Sequence, residues 1–432
     1  MSVLVLLIAI ILFAVLAFRR INALILAPVV SLFVILCFKM PILQSLMDFF
    51  MPAAAKYVSN YFLIFFVGAL FGAVYQFTGA AESIARFLGG VVHGKYVAPI
   101  VMVITGVLTF GGISGFVVFF VVYPIALQMF KQSNLTRRLI PAAISAGCWT
   151  WSMNGPGSPS IQNAIAMRNL GTPSTAAFVP SFIVMVVQFI LIFVWLEYRA
   201  RKFTNKGIVF ADSTLTYQLS SGELSEADSK DLPSPLVSFL PLLLIIVLFN
   251  IFNSVELAVL WGIILSVVLF FKRQKSLQAW IDIFNKGAAD SGVSILNTAI
   301  VVGFGGLVQN TEAFTILVDN LKNMSMSPLI FVAITVAVCA GACGSASGGM
   351  GVAFNALTNV YLALGVNPEY IHRIAAIAAG TLDTLPHQGA QITLLGICKM
   401  THKEAYFDIM VTQIIIPIIA VALFIMLAMM GL

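Results

Sequence analysis

Two short glycine and serine clusters are where this chain would touch a ligand. "GGISG" (Gly111–Gly115) and "GSASG" (Gly344–Gly348) each interrupt a long apolar run. Clustered Gly and Ser break an apolar helix and free backbone groups that hydrocarbon cannot satisfy, so each break must face protein or water. A second pair of interruptions follows. "NGPGSPSIQN" (Asn154–Asn163) contains Pro156 and Pro159, which cannot continue a helix, and "TLDTLPHQG" (Thr381–Gly389) contains Pro386. Broken ends of this kind offer helix N-termini, backbone amides and hydroxyls to an anion. The candidate substrate ligands are Gly112, Ser114, Gly115, Asn154, Gly155, Ser158, Gln162 and Asn163, with Ser345, Ser347, Gly348 and Gln388 from the later pair. Gln391 and Thr393 are further uncharged donors nearby.

Two titratable groups accompany them. Asp383 is the only acid in the second broken stretch, and an intramembrane carboxylate is costly enough to mark function by default. It is the candidate carrier of a coupling proton; the competing reading is a local helix cap. His387 suits a proton relay, or as a neutral ring donates a hydrogen bond to substrate. His93 and His402 fall in expected loops, His372 at a helix start, and Arg373 reads as interfacial. The five cysteines lie in or beside apolar segments without metal-ligand spacing. Cys339 and Cys343 share a helical face and read as small packing residues, and no metal or cofactor is expected.

The elements that must hold these residues are membrane spans. The chain has 432 residues, 60% hydrophobic and only 9% charged, outside the range of soluble domains. The net charge of +6 is scattered over short loops, which argues against nucleic-acid binding. Apolar stretches of membrane length occur near 2–18, 21–38, 57–77, 97–130, 139–168, 177–198, 235–252, 256–271, 289–308, 328–366, 371–398 and 406–431. The first reads as a membrane helix rather than a signal peptide, because it has no basic leader and no small-residue cleavage site. Two stretches, 97–130 and 328–366, are too long for one crossing, and both carry a glycine/serine break near the centre. The one extended polar stretch is 199–234.

An offset of 233 residues aligns the second half with the first in three ungapped blocks. "FGAVYQFTGAAESIARFL" from Phe71 falls on "FGGLVQNTEAFTILVDNL" from Phe304, "GGISG" on "GSASG", and "AAISAG" (142–147) on "AAIAAG" (375–380). Basic residues set the orientation: Arg199, Arg201 and Lys202, and Lys272, Arg273 and Lys275, flank a hairpin whose turn, "FNSVE", has none. The positive-inside rule then makes 199–234 cytoplasmic and 97–130 a re-entrant hairpin. Five crossings remain per half, an odd number, so the halves are inverted. Lys39, Lys56, Arg168, Lys322 and Arg373 oppose this orientation. The expected fold is an all-α polytopic membrane protein of two inverted-topology repeats, 1–198 and 235–432, joined by a cytoplasmic linker, 199–234. Each repeat has about five transmembrane helices, a re-entrant hairpin and a broken helix. Inverted repeats with broken helices are an architecture of secondary transporters, with the site at the bilayer midplane.

"NGPGSPSIQN", the "GGISG" hairpin and the paired inverted halves resemble the gluconate permease family of proton symporters, within the ion transporter superfamily of carboxylate carriers. The resemblance spans essentially the whole chain. It implies uptake of a small organic anion, often a hydroxylated monocarboxylate such as gluconate, glycerate or 3-hydroxybutyrate, coupled to protons, with sodium as the alternative ion. It also implies a homodimer in a bacterial inner membrane whose hairpins and broken helices move, elevator-like, against a scaffold of leading helices. Two other classes compete. Gly112–Gly115 matches the GxSG of intramembrane serine proteases, with His387 as base, but a duplicated nucleophile motif has no role in a single-site hydrolase. A passive channel would need charge rings or a carbonyl filter, which the sequence lacks.

Overall fold

The computed structural model describes residues 2–19, 21, 23–91, 95–111, 115–218, 232–252, 254–273, 276–316 and 326–432. The protein is 81% helical, and no strand occurs among the described residues. Ser2–Phe18 (α1) and Ala23–Cys37 (α2) pair first. Ile42–Ser45 (α3) passes through a π turn, Leu46–Phe50, into Met51–Phe77 (α4), and Ala80–Val91 (α5) follows. Val97–Phe110 (α6) and Gly115–Gln132 (α7) are the arms of the first hairpin. The first broken helix comprises Ile140–Trp149 (α8), Trp151–Asn154 (α9) and Ile161–Leu170 (α10), and the long Phe178–Asn205 (α11) closes the half. The second half runs through Pro235–Phe252 (α12), Val255–Phe270 (α13) and Leu277–Gln309 (α14). Its hairpin is Pro328–Cys343 (α15) with Ala346–Ala363 (α16), and its broken helix Pro368–Leu382 (α17) with Gly389–Ile397 (α18). His402–Met410 (α19) continues through a second π turn, Val411–Ile415, into Ile416–Met429 (α20).

Three boundaries differ from the apolar runs. The helix expected near 57–77 begins at Ile42, because Gln44, Asp48 and Lys56 recur at multiples of four residues and share an exposed face. Likewise α14 starts at Leu277 rather than near 289, with Asp282 and Lys286 one turn apart and exposed. The stretch read as linker from 199 is still helical to Asn205. There an Arg201–Glu197 pair at 2.7 Å extends the helix beyond its apolar part.

Past that helix the chain docks back onto the protein. Arg138 donates to the Asp212 carboxylate at 2.9 Å and to the Thr214 hydroxyl at 2.6 Å, and Arg137 to the Tyr217 carbonyl at 2.9 Å. The Thr216 N–H reaches Glu404 at 2.6 Å. Burial pushes the Asp212 carboxyl up, but hydrogen bonds from Thr214 and Arg138 outweigh it and leave its pKa lowered.

At the centre α4 and α14 pack side by side, with α2 against α14 and α13 against α4. Close approach needs glycine: a β-carbon on Gly306 would run into Ala53. The two halves interlock, since α10 packs on α16 and α17 while α18 packs on α7 and α8. Large apolar side chains such as Leu43, Leu236, Val268 and Met429 are exposed on the outside. Among the described residues three helices, Ile42–Tyr75, Phe178–Asn205 and His402–Met429, are long and apolar enough to cross a membrane. The protein is an all-α polytopic membrane protein.

Candidate functional site

The second hairpin tip is a capped turn written by its sequence. α15 ends on Gly344 at φ +58°, a left-handed conformation that glycine adopts without a β-carbon penalty. Ser345 is extended, and its hydroxyl accepts the Gly348 N–H at 3.2 Å to start α16. The Ser347 hydroxyl is 2.8 Å from that of Tyr57 on α4. Gly344 also makes room for His387, whose ring would lie 2.7 Å from a β-carbon at that position.

His387 Nε2 bonds the Gly341 carbonyl at 2.7 Å, and Phe13 of α1 packs edge-on at 5.2 Å. A carbonyl only accepts, so Nε2 carries the hydrogen. In the neutral ring Nδ1 is then an acceptor; it is buried without a partner among the described residues. Asp383 accepts from the Thr384 hydroxyl at 3.1 Å and from Gln388 Nε2 at 2.7 Å, and the Ala346 N–H lies close enough to favour the carboxylate electrostatically. Ala346 opens α16, so the carboxylate sits at a helix N-terminus and ties the second broken helix to the hairpin tip. Gln388 keeps a buried Oε1 without a partner among the described residues.

In the first half, Gly112 and Ser114 lie outside the described residues. Gly115 opens α7 against Trp149, where a β-carbon would come within 3.0 Å of Nε1. The broken helix departs from helical geometry at Thr150 (φ −119°, ψ −113°). It makes the single turn α9, then runs irregularly through Gly157 at φ +79°. It restarts where the Ser160 hydroxyl accepts the Asn163 N–H at 3.2 Å.

The two asparagines of this turn differ sharply. Asn163 Nδ2 donates to the Gly155 carbonyl at 3.3 Å and to the Ser158 carbonyl at 3.0 Å. Its Oδ1 accepts from Arg373 Nη1 at 2.9 Å and from His372 Nε2 at 3.2 Å. With two donors and two lone pairs engaged, Asn163 builds the turn and has no capacity left for a substrate. Both amide atoms of Asn154 are buried without a partner among the described residues. Beside it, α17 loses helical geometry at Gly380 (φ −84°, ψ 26°), whose β-carbon would come within 3.0 Å of the Met153 methyl and 3.4 Å of the Trp149 carbonyl. The two broken helices therefore cross at Asn154 and Gly380. Ser158 and Gln162 are buried in the same turn.

Residue types had not singled out several contributors. Arg373 and His372 are fully buried and bind the first broken helix rather than an interface. A fully buried guanidinium bonded to protein oxygens is not governed by the positive-inside rule, so Arg373 carries no weight for or against the orientation. The available signal was a His-Arg pair inside the helical stretch "YIHRIAAIAAG". His402 is not in a loop but opens α19, with Nε2 3.1 Å from the Pro386 carbonyl. His93 lies outside the described residues. Gln391 donates to Gln413 in the second π turn at 2.8 Å, and Gln413 to Ser145 on α8 at 2.6 Å. That chain of amides is a polar bridge between the halves, and Thr393 bonds only its own helix, at the Gly389 carbonyl.

Chemically, the site offers amides, hydroxyls, a helix N-terminus and one carboxylate. Among the described residues no three His, Cys, Asp or Glu side chains are grouped to hold a metal ion. Such an array, inside an all-α polytopic membrane protein, has the donors and acceptors that a polar solute would need. No family model matches the chain. It is 32% identical over 456 residues to the uncharacterized transporter YxjC of Bacillus subtilis (strain 168), covering 96% of each chain. It is also 23% identical over 345 residues to an uncharacterized transporter of Haemophilus influenzae, covering 78% of this chain and 77% of that one. The chain belongs to the transporter family that includes YxjC.

Proposed function

We propose that the protein is a secondary active transporter carrying a small hydroxylated monocarboxylate, such as gluconate, glycerate or 3-hydroxybutyrate, with protons across the bacterial cytoplasmic membrane. The observation that carries this reading is the Asn154 amide, buried and without a partner among the described residues where the two broken helices cross. A buried amide without a partner costs about 1–3 kcal/mol, and a substrate oxygen would remove that cost. The family's transporter names and the resemblance to gluconate permeases support the same reading.

Duplication is supported by helix spacing: α1 and α12 start at Ser2 and Pro235, and α7 and α16 at Gly115 and Ala346. On this reading 1–198 and 235–432 are inverted repeats, 199–234 is the cytoplasmic linker, and the protein works as a homodimer. The hairpins and broken helices move against a scaffold formed by α1, α2, α4 and α12 to α14, and the Tyr57–Ser347 hydrogen bond crosses that boundary. Asp383 carries the proton. A protonated carboxyl gives up one acceptor position, which loosens its hold on the tip at Ala346.

A thermal-shift screen of the purified protein tests the substrate class, because a ligand bound only to the native state raises the unfolding midpoint. At least one of gluconate, glycerate, 3-hydroxybutyrate and lactate is expected to raise it. A response to dicarboxylates alone would contradict the reading.

A further inference from the structure

Arg373 is fully buried on α17, in the second half, and every hydrogen bond of its guanidinium goes to the first half. Nη1 donates to the Asn154 carbonyl at 2.8 Å, the Gly155 carbonyl at 3.4 Å and Asn163 Oδ1 at 2.9 Å. Nη2 donates to the carbonyls of Ser174 and Ala176, both at 3.2 Å. Those five oxygens belong to two separate stretches, the unwound turn after α9 and the bend before α11. Flanking residues reinforce the clamp. His372 Nδ1 lies 2.7 Å from the Thr172 hydroxyl, and Glu369 accepts the Ala177 N–H at 2.6 Å.

Two consequences follow from this geometry. The carbonyl gripped by Nη1 belongs to Asn154, the residue whose side-chain amide is unpartnered, so fixing the peptide fixes where the amide points. The guanidinium is hydrogen-bonded to carbonyl dipoles and an amide, while the nearby Glu369 carboxylate is bonded to the Ala177 N–H and not to the guanidinium, so the positive charge is only partly offset. In a poorly polarisable interior that charge acts over several ångströms. Arginine suits this role because its planar fork reaches several oxygens at once and stays charged, whereas lysine is a point charge.

We propose that Arg373 is a positioning residue for the substrate site: it holds the Asn154–Asn163 turn in place from the opposite half, and its charge restricts the site to anions. The anion claim rests on the carboxylate reading above; the positioning claim does not.

The test uses the full-length protein with Cys37, the one exposed cysteine among the five, replaced by serine. Maleimide labelling of S158C reports the turn. R373M is expected to speed labelling about tenfold or more, since several charge-assisted hydrogen bonds are lost. An unchanged rate in folded R373M would overturn the positioning claim. R373K, which keeps the charge but not the fork, should also label faster while preserving anion preference. It decides alone if R373M does not fold, and labelling of R373K at the parent rate would likewise overturn the claim. Preference is read as the thermal shift with gluconate against glucitol and with glycerate against glycerol. Loss of that preference in R373M with retention in R373K supports anion selection; equal weakening of acid and alcohol in R373M overturns it. If no carboxylate shifts even the parent protein, the carboxylate reading and the anion claim fail together, while the labelling rates still decide the positioning claim.

Discussion

Asn154 and Asn163 stand in one turn with opposite tasks, and substitution separates them. Asn154→Ala removes an amide that has no partner among the described residues. It should leave the unfolding midpoint unlowered, since an unsatisfied buried amide is removed, and weaken substrate binding about 10- to 100-fold, the worth of a hydrogen bond to a charged ligand. Asn163→Ala orphans partners on Gly155, Ser158, His372 and Arg373. It should destabilise by about 3 kcal/mol or more, seen as a lower midpoint in detergent. The sequence pointed to both as ligands, since residue type alone does not reveal which amide is engaged internally by a neighbour 210 positions away. Asp383 shows the same ambiguity, because its oxygens hold a helix N-terminus while remaining the one acid of the site. Asp383→Asn mimics the protonated acid. It should abolish accumulation against a gradient in proteoliposomes and spare substrate exchange; full accumulation still collapsed by a protonophore would move the coupling site elsewhere.

Among the elements, helix breaks were legible and helix lengths were not. Gly, Ser and Pro end a helix through local backbone chemistry, so the interruption at Gly344–Ser345 and that after Asn154 follow from a few adjacent residues. The early starts of α3 and α14 were hidden because polar residues on one exposed face end an apolar run without ending the helix. Gly344→Ala tests the hairpin turn. Left-handed geometry costs a non-glycine residue about 1–2 kcal/mol, and the β-carbon meets His387 at 2.7 Å. Uptake should fall at least about tenfold while the protein still inserts; normal uptake would show that the tip tolerates distortion. The docked segment after α11 offers a pH test. Asp212 has a lowered folded pKa, so its contribution is present above its ordinary unfolded value of about 4 and is lost as pH falls through the folded one. Arg138→Gln at neutral pH removes the same contact, and tryptic cleavage at the exposed Lys206 should then quicken about fivefold, the equivalent of about 1 kcal/mol.

At the scale of the molecule, the earlier and later parts of the chain interlock through their broken helices, so each completes the other. The proposed duplication rests on one offset shared by three sequence blocks. The interlocking was not visible in the sequence, because it depends on α10 and α18 each packing on the opposite half's hairpin and broken helix, and on a buried Arg373 that belongs to one half and serves the other. If the crossing of the broken helices is the transport site, Asn154 is its centre. The most direct measurement is uptake of labelled gluconate, glycerate and 3-hydroxybutyrate into proteoliposomes under an inside-alkaline pH gradient, for the parent protein and Asn154→Ala. The expected result is accumulation of at least one of them above equilibrium, collapsed by a protonophore and lost in the variant. No accumulation under either a proton or a sodium gradient, or accumulation that Asn154→Ala leaves intact, would contradict it.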